Sequence, residues 1–349
     1  MPYIQEVVTA LGFKKQSALQ VPLVAADMVC LNQTNRETML PDLAYESDKD
    51  DMGKGTPFAT QLFPLTARSG GPFNSRLTSE IAAIMGVFGI GLTTKAAAGT
   101  GFLYTCSVGT TFAALETDMP VTTFVQSCRQ GANDVFDFGL IGMALEEFSL
   151  QLKTGVGRDT AVMNSNWVGC GKYASPSTIA VPAAYSEHSL NIGGATAITI
   201  LGTNYVSNLR FLEGEFRWKN NIPVDKNYVP GGGTQNEFNL MGRMRRGVPE
   251  ASFRMQVEVV DGSSEWAAFL AQTTGTVVLT IEGATIGAGP DKHKLTITLH
   301  QVQFKAHRWT ESDGLIVADI ECDVQLHATN GILTYAATTE LDNIGTAAV

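Results

Sequence analysis

The stretch that most limits what this chain can fold into is residues 315–327, LIVADIECDVQLH. Ile316, Ala318, Ile320, Cys322, Val324 and Leu326 alternate there with Asp319, Glu321, Asp323 and Gln325. Successive side chains of a strand point to opposite faces, so a strict period of two predicts a half-buried β-strand. Its polar side carries three carboxylates, with no Lys or Arg among them. The sheet that owns this strand is expected to separate a core from an aqueous surface of one sign. Such a surface is unusual for a hydrolase and natural for the wall of a conduit for polyanions.

Other segments share the period. Phe253, Met255, Val257 and Val259 face away from Arg254, Gln256 and Glu258. Leu295, Ile297 and Leu299 alternate until the phase passes to Val302 and Phe304, a one-residue slip that predicts a β-bulge. Strands are also expected at 102–108, 145–152, 195–201 and 209–218. Asn330-Gly331 and Asp313-Gly314 are turn signals, the second joining two alternating strands as a hairpin. The fold class is therefore mainly β, an antiparallel sandwich or barrel with long loops. Two segments read as short helices. In SRLTSEIAAIMG, Leu77, Ile81, Ile84 and Met85 share a face and Ser75 is the expected cap. In DGSSEWAAFLAQ, Ser263 is the expected cap and Trp266, Phe269 and Leu270 form the apolar stripe. The helices lie nearly half the chain apart, each before a Gly-marked β segment. That spacing points to a duplication, with halves at 1–185 and 186–349 meeting near 181–194.

Composition narrows the classes. A chain of 349 residues has room for two ordinary domains. Only 17% of residues are charged and 35 are glycine, which implies many turns and much surface hidden against other subunits. A net charge of −10 argues against a nucleic-acid reader held by phosphate contacts. The opening MPYIQEVVTALGFKKQ lacks a signal-peptide core, and no run approaches the about 18 apolar residues a membrane helix needs. Cys30, Cys106, Cys128, Cys170 and Cys322 show no C-x-x-C spacing and read as free, buried thiols of a reducing compartment.

No enzyme constellation emerges. GIGLTTKAAAGTG is not a phosphate loop, since Lys95 precedes no hydroxyl residue, and it reads as a Gly-rich link from helix to strand. His293, His300 and His307 recur every seven residues, which is not a metal spacing on an alternating strand. Glu146-Glu147 reads as a solvated strand end. Trp218, Trp266 and Trp309 sit in apolar or strand patterns and read as core. Neither a G-x-S-x-G elbow nor an H-E-x-x-H pair is present, and no cofactor or metal is expected. Two long polar stretches, 32–74 and 220–247, are expected to be functional loops ordered by a partner. They hold the two densest charge clusters: Asp48, Asp50 and Asp51 in the first, Arg243, Arg245 and Arg246 in the second.

The run VTTFVQSCRQGANDVFDFGLIGMALEEFSLQLKTGVGRDTAVMNSNWVGCG resembles a segment of the major tail tube proteins of long-tailed, double-stranded DNA phages. There a strand leads through a small-residue turn into a paired strand and a polar shoulder. The order SSEWAAFLAQ, VVLTIEG, KLTITLHQVQFKAH and GLIVADIECDVQLHA is similar to the same family's pattern. The resemblance implies a structural virion protein without an enzyme site, made in the bacterial cytoplasm and resident in the phage tail. Its partners would be copies of itself, a tape measure protein, a terminator and, in contractile tails, a sheath. Rings whose hairpins join into one β-barrel would stack into a tube that conducts DNA without reading its sequence. A duplicated chain would need three copies per ring, an unduplicated one six. On this reading Asp319, Glu321 and Asp323 face the lumen, while Asp48, Asp50 and Asp51 meet Arg243, Arg245 and Arg246 between rings. The rival classes are a capsid shell or decoration protein and a β-sandwich carbohydrate-binding module.

Overall fold

The computed structural model describes residues 5–34, 39–47, 61–108, 110, 118–130, 133–155, 161–175, 177–260, 264–312 and 314–348. The N-terminal part comprises β1 (Gln5–Gly12), β2 (Met28–Cys30), β3 (Leu40–Ser47), β4 (Leu62–Arg76) and helix α1 (Ser79–Gly89). It continues with β5 (Leu92–Ala98), β6 (Gly101–Val108), β7 (Thr122–Gln130), β8 (Asn133–Lys153), β9 (Ala161–Gly169) and β10 (Tyr173–Ala174). The C-terminal part opens with β11 (Ala195–Ile200), β12 (Thr203–Asn204), β13 (Phe211–Lys219), β14 (Thr234–Gln235), β15 (Phe238–Asn239) and β16 (Glu250–Glu258). Helix α2 (Glu265–Leu270), β17 (Thr274–Thr285), β18 (Lys292–Ser312), β19 (Leu315–Val324) and β20 (Leu333–Thr339) complete it. The chain is mainly β, as the alternation predicts; the expected strands at 102–108 and 145–152 fall within β6 and β8, and those at 195–201 and 209–218 overlap β11 and β13 to within two residues.

The framework is a continuous antiparallel sheet in the order β3-β4-β9-β8-β13-β16-β19-β18. Its two longest strands, β8 and β18, each run for 21 residues. Each leaves the sheet with its N-terminal half and enters a second layer. There β8 pairs with β7 and β10, and β7 leads on to β1 and β2. Likewise β18 pairs with β17 and β20, and β17 leads on to β11 and β12. Bulges sit where both strands change layer, at Glu146 in β8 and Lys305 in β18. An extra residue on one strand raises the local twist, which is what carries a strand from one layer to another. The slip between Leu299 and Val302 is also a bulge, facing the register shift at Gly275 and Val277.

Burial follows the period of two. Phe148, Leu150 and Leu152 of β8, Phe216 and Trp218 of β13, Phe253, Met255 and Val257 of β16, and Ala318, Ile320 and Cys322 of β19 turn inward onto one core. Each fully buried aliphatic or aromatic side chain is worth about 1.5–3 kcal/mol against exposure. Helix α1 crosses that core and is buried along its whole length, so its sequence is apolar nearly all round. Thr78 caps it, accepting from the Ile81 amide at 3.3 Å. Ser75, the expected cap, instead lies buried in β4 because the strand continues through Arg76 before the helix begins.

Three further expectations change. Lys95 lies in strand β5, above the Phe102 ring and paired with Asp342, and not in a link between helix and strand. Glu146 and Glu147 lie in mid-strand β8. Glu146, in the bulge, bonds the Asn166 amide at 2.8 Å and burial raises its carboxyl pKa, while Glu147 pairs with Arg217. Helix α2 buries only part of its stripe: Phe269 packs against the core, whereas Leu270 is 63% exposed, and Trp266 and its neighbour Trp309, 59% exposed, face outward. A helix of six residues has no second buried turn; its anchor is Glu265, held by Tyr205 Oη at 2.9 Å and the Arg210 guanidinium at 2.8 Å. The expected cap Ser263 lies outside the described residues.

Candidate functional site

Two places concentrate polar chemistry. The first is the solvent face of the long sheet. Asp319, Glu321 and Asp323 project there, opposite the core-facing Ile320 and Cys322. The face is not of one sign, however. Arg254 of β16 lies directly across from Glu321, and Arg308 of β18 directly across from Asp319. Arg217, Lys219, Arg254 and Lys305 share a groove with Glu215, Glu250, Glu321 and Asp323. Arg254 pairs with Glu215 at 3.0 Å. The cations come from strands distant in sequence, so an alternation confined to one strand could not reveal them. The strand keeps its acidic side; the sheet around it is mixed, and each exposed pair is worth only about 0–1 kcal/mol.

The second place is buried. Glu80, in the first turn of α1, is fully enclosed, and its carboxylate is the hub of a network. Oε1 accepts from His188 Nδ1 at 2.8 Å, from Ser79 Oγ at 3.1 Å and from Thr339 Oγ1 at 3.2 Å. Oε2 accepts from the His188 amide at 3.1 Å. A buried carboxylate is tolerated when its oxygens are satisfied in this way, and the positive N-terminal end of the helix adds to it. Ser79 Oγ also contacts His293 Nδ1 at 2.8 Å, and the rings of His188 and His293 stack at 3.8 Å with their planes 11° apart. His293 Nε2 is buried and unpartnered. Burial, then the charge of His188, holds the His293 pKa below its ordinary value.

Ligand atoms of Glu80, His188 and His293 lie within 4.8 Å of one another. The geometry is nevertheless not that of a chelate. Stacked rings keep their lone pairs in two separate parallel planes, whereas two imidazoles on one ion must both have it in their ring planes. Nor is it a nucleophile with its base: the carboxylate touches Ser79 and His188, not the free edge of His293, and Ser79 has no exposed surface. What the cluster can do is hold protons and clamp chain segments. His300 and His307 lie elsewhere along β18, so the three histidines do not converge, as their spacing implies. No sequence signal joins Glu80, His188 and His293, which come from a helix, a linker and a strand.

The arginine cluster is largely used within the chain. Arg246, half-buried, donates to the Ile90 and Gly89 carbonyls at 3.1 and 3.0 Å, closing the C-terminal end of α1. Arg243 donates to the Lys226 carbonyl at 2.8 Å. Arg245 is the most outward, 3.9 Å from Asp118. Residues 220–247 are ordered by their own chain: Ile222, Met241 and Met244 pack on Met119, Val121, Ala144 and Cys170, and Phe238 and Leu240 on Ala67. The stretch 32–74 likewise contains β3 and much of β4, while Asp48, Asp50 and Asp51 lie outside the described residues. All five cysteines are free, and burial pushes the Cys170 thiol up to about 11 and the Cys322 thiol up to about 12, far from a nucleophile's range. Among the described residues no helix is long and apolar enough to cross a membrane. The chain matches no protein-family model and no curated protein.

Proposed function

We propose that this chain is a structural subunit that joins copies of itself into rings, stacked as a hollow tube of the phage-tail kind. The observation that carries the reading is the order of the long sheet. It consists of two four-strand blocks, β3-β4-β9-β8 and β13-β16-β19-β18, each followed through by the same pairings of its long strand to a second layer. Helix α1 follows β4 as α2 follows β16, and the bulges at Glu146 and Lys305 occupy equivalent points. These correspondences support a duplicated chain with halves near 1–185 and 186–349.

Within the chain the blocks meet where β13 pairs with the C-terminal half of β8. The equivalent edge of β18 is open. β17 and β19 pair with Val302 and Gln303 from opposite sides, and beyond Gln303 only β19 continues among the described residues. At the other end of the sheet, β3 pairs only with β4 among the described residues. An open edge invites another strand, and here each end is the counterpart of a partner already seen inside the chain. Joining β18 of one copy to β3 of the next repeats the β8–β13 joint. The contact is head-to-tail, and such contacts close into rings when the rotation allows; with two blocks per chain, three copies make a six-block ring. Exposed apolar side chains gather at both ends, Trp309 and Ile316 at one, Leu40, Tyr45 and Phe63 at the other. The polar face bearing Asp319, Glu321 and Asp323 would line the lumen, where its carboxylates offset the neighbouring cations and leave DNA fewer salt bridges.

The exposed Trp266 and Trp309, 5.4 Å apart, also suit a carbohydrate-binding module. Their planes are tilted by 48° and do not form a flat platform, and they stand at the open edge, so a neighbouring copy fits them better. Negative-stain microscopy of the purified protein tests the proposal. Rings or hollow tubes are expected; closed shells would support a capsid role, and a monomer at high concentration whose tryptophan fluorescence shifts with oligosaccharide would overturn the tube.

A further inference from the structure

The segment before β11 lies over α1 as a strap. Tyr185 N–H donates to the Cys30 carbonyl at 3.0 Å, Leu190 N–H to Leu77 O at 2.9 Å, and Ser79 N–H to the strap's own His188 O at 3.0 Å. Its side chains hold it through Leu190, buried in the core, and through His188, fixed to the buried Glu80 below and stacked on His293 of β18 beside it. We propose that the His188–His293 stack over Glu80 is a proton-operated latch, which keeps the strap closed on α1 while His293 is neutral and opens it when His293 is protonated. The inference is independent of any assembly.

The geometry sets the sign. With His188 Nδ1–H and Ser79 Oγ–H both directed at Glu80, His293 Nδ1–H donates to Ser79, and its buried Nε2 is left as a bare acceptor. A proton added there creates a buried N–H with no acceptor and a cation against the face of a second imidazole at 3.8 Å. Titratable groups stand around the Glu80–His188–His293 cluster on each packed element. The strap supplies Tyr185, Glu187 and His188; α1 supplies Glu80; the end of β20 leads to Glu340, 4.0 Å from His188 Nε2. On β18 itself, Lys292 and Lys294 are engaged by Glu282 of β17, at 2.9 and 3.1 Å. Glu80, the nearest carboxylate, is already satisfied by four donors, so none of these groups supplies Nε2 with an acceptor. Opening the strap gives His293 water instead, and His188, already partly exposed, is the side of the stack nearer solvent.

The test is hydrogen exchange by mass spectrometry on the full chain at about pH 7.5 and about pH 5.5, corrected for intrinsic rates, across the range where an imidazole titrates. In the unmodified protein, protection of peptides covering 184–190 and the Ser79 amide should fall about tenfold or more at the lower pH, while β13 and β16 stay unchanged. His293→Phe keeps a ring in the stack but takes no proton, and its strap protection should be the same at both pH values. An unchanged strap in the unmodified protein, or equal loss in His293→Phe, overturns the latch. A second measurement needs no variant: the proton titration of the His293 ring followed by NMR should share its midpoint with strap opening. Titration of His293 with the strap still protected also overturns it.

Discussion

Gly86 shows how much one hydrogen atom decides in this core. A Cβ there would sit 2.5 Å from the Tyr335 ring and 3.5 Å from Cys106 Sγ. Alanine is the better helix former by about 1 kcal/mol, but overpacking a filled core costs about 1–3 kcal/mol. Tyr335 cannot retreat freely, because its hydroxyl donates to the Ala82 carbonyl at 2.8 Å. Gly86→Ala should therefore destabilise by about 1–2 kcal/mol in chemical denaturation, and a gain in stability would show that the ring yields. The histidines set the pH response. Burial, as first cause, depresses His293, His300 and His307 alike. Each is then less protonated folded than unfolded, so the unfolded chain takes up more protons below the free imidazole value of about 6.5. Stability is full above that value and is lost as pH falls from it toward the depressed folded values. Thermal melting should move down between about pH 7.5 and about pH 5.5, and a rising midpoint would contradict the assignment.

The elements differ in who completes them. Helix α1 is finished within the chain: Thr78 caps its start, and Arg246 and the Trp218 indole N–H cover its last carbonyls. Replacing Arg246 by Glu removes two charge-assisted bonds and sets an anion at the negative end of the helix, a loss of about 1.5–3 kcal/mol. Arg245→Glu should cost less than about 0.5 kcal/mol, since that side chain only faces exposed Asp118. Urea titrations of the two variants separate a folding role from a stacking one; equal losses would mean the cluster acts as a unit. Among the described residues no strand but β19 pairs with the C-terminal part of β18. Trp309→Lys should leave monomer stability within about 0.5 kcal/mol, because the ring is mostly exposed, yet abolish rings in sedimentation velocity. Normal rings from that variant would remove the open edge from the interface.

For the molecule as a whole, two strand blocks share one sheet and each lends its long strand to a second layer. Among the described residues that sheet ends on β3 and on the C-terminal part of β18, and its polar face is mixed in charge. The carboxylates of β19 are exposed enough to be exchanged without touching the core. With Asp319, Glu321 and Asp323 all replaced by Lys, the face loses its only unbroken acidic row and Arg254 and Arg308 lose their cross-strand neighbours. Assemblies should still form but retain duplex DNA on co-sedimentation at low salt, with retention falling as salt rises over a Debye length of about 8–10 Å. Equal DNA retention by both proteins would place these residues away from the lumen.

Period-two alternation is local information, which is why the strand class, the inward faces of β16 and β19, the hairpin at Gly314 with its φ of 81°, and the bulge after Leu299 could all be read from residues alone. The existence of both helices was equally legible, because 3.6-residue patterns are local too. Their ends and fates were not. Thr78 rather than Ser75 caps α1 because β4 runs on, and α2 turns Phe269 to the core while Trp266 and Leu270 stay exposed, facts that belong to the packing. Cross-strand neighbours lie far apart in sequence, so only the fold could set Arg254 and Arg308 against the carboxylates of β19. Only the fold, too, could bring Glu80, His188 and His293 from helix, linker and strand to one buried point. Alternation says which face of a strand meets the core; which strand lies beside it is decided by long-range pairing, whose closure no local pattern encodes.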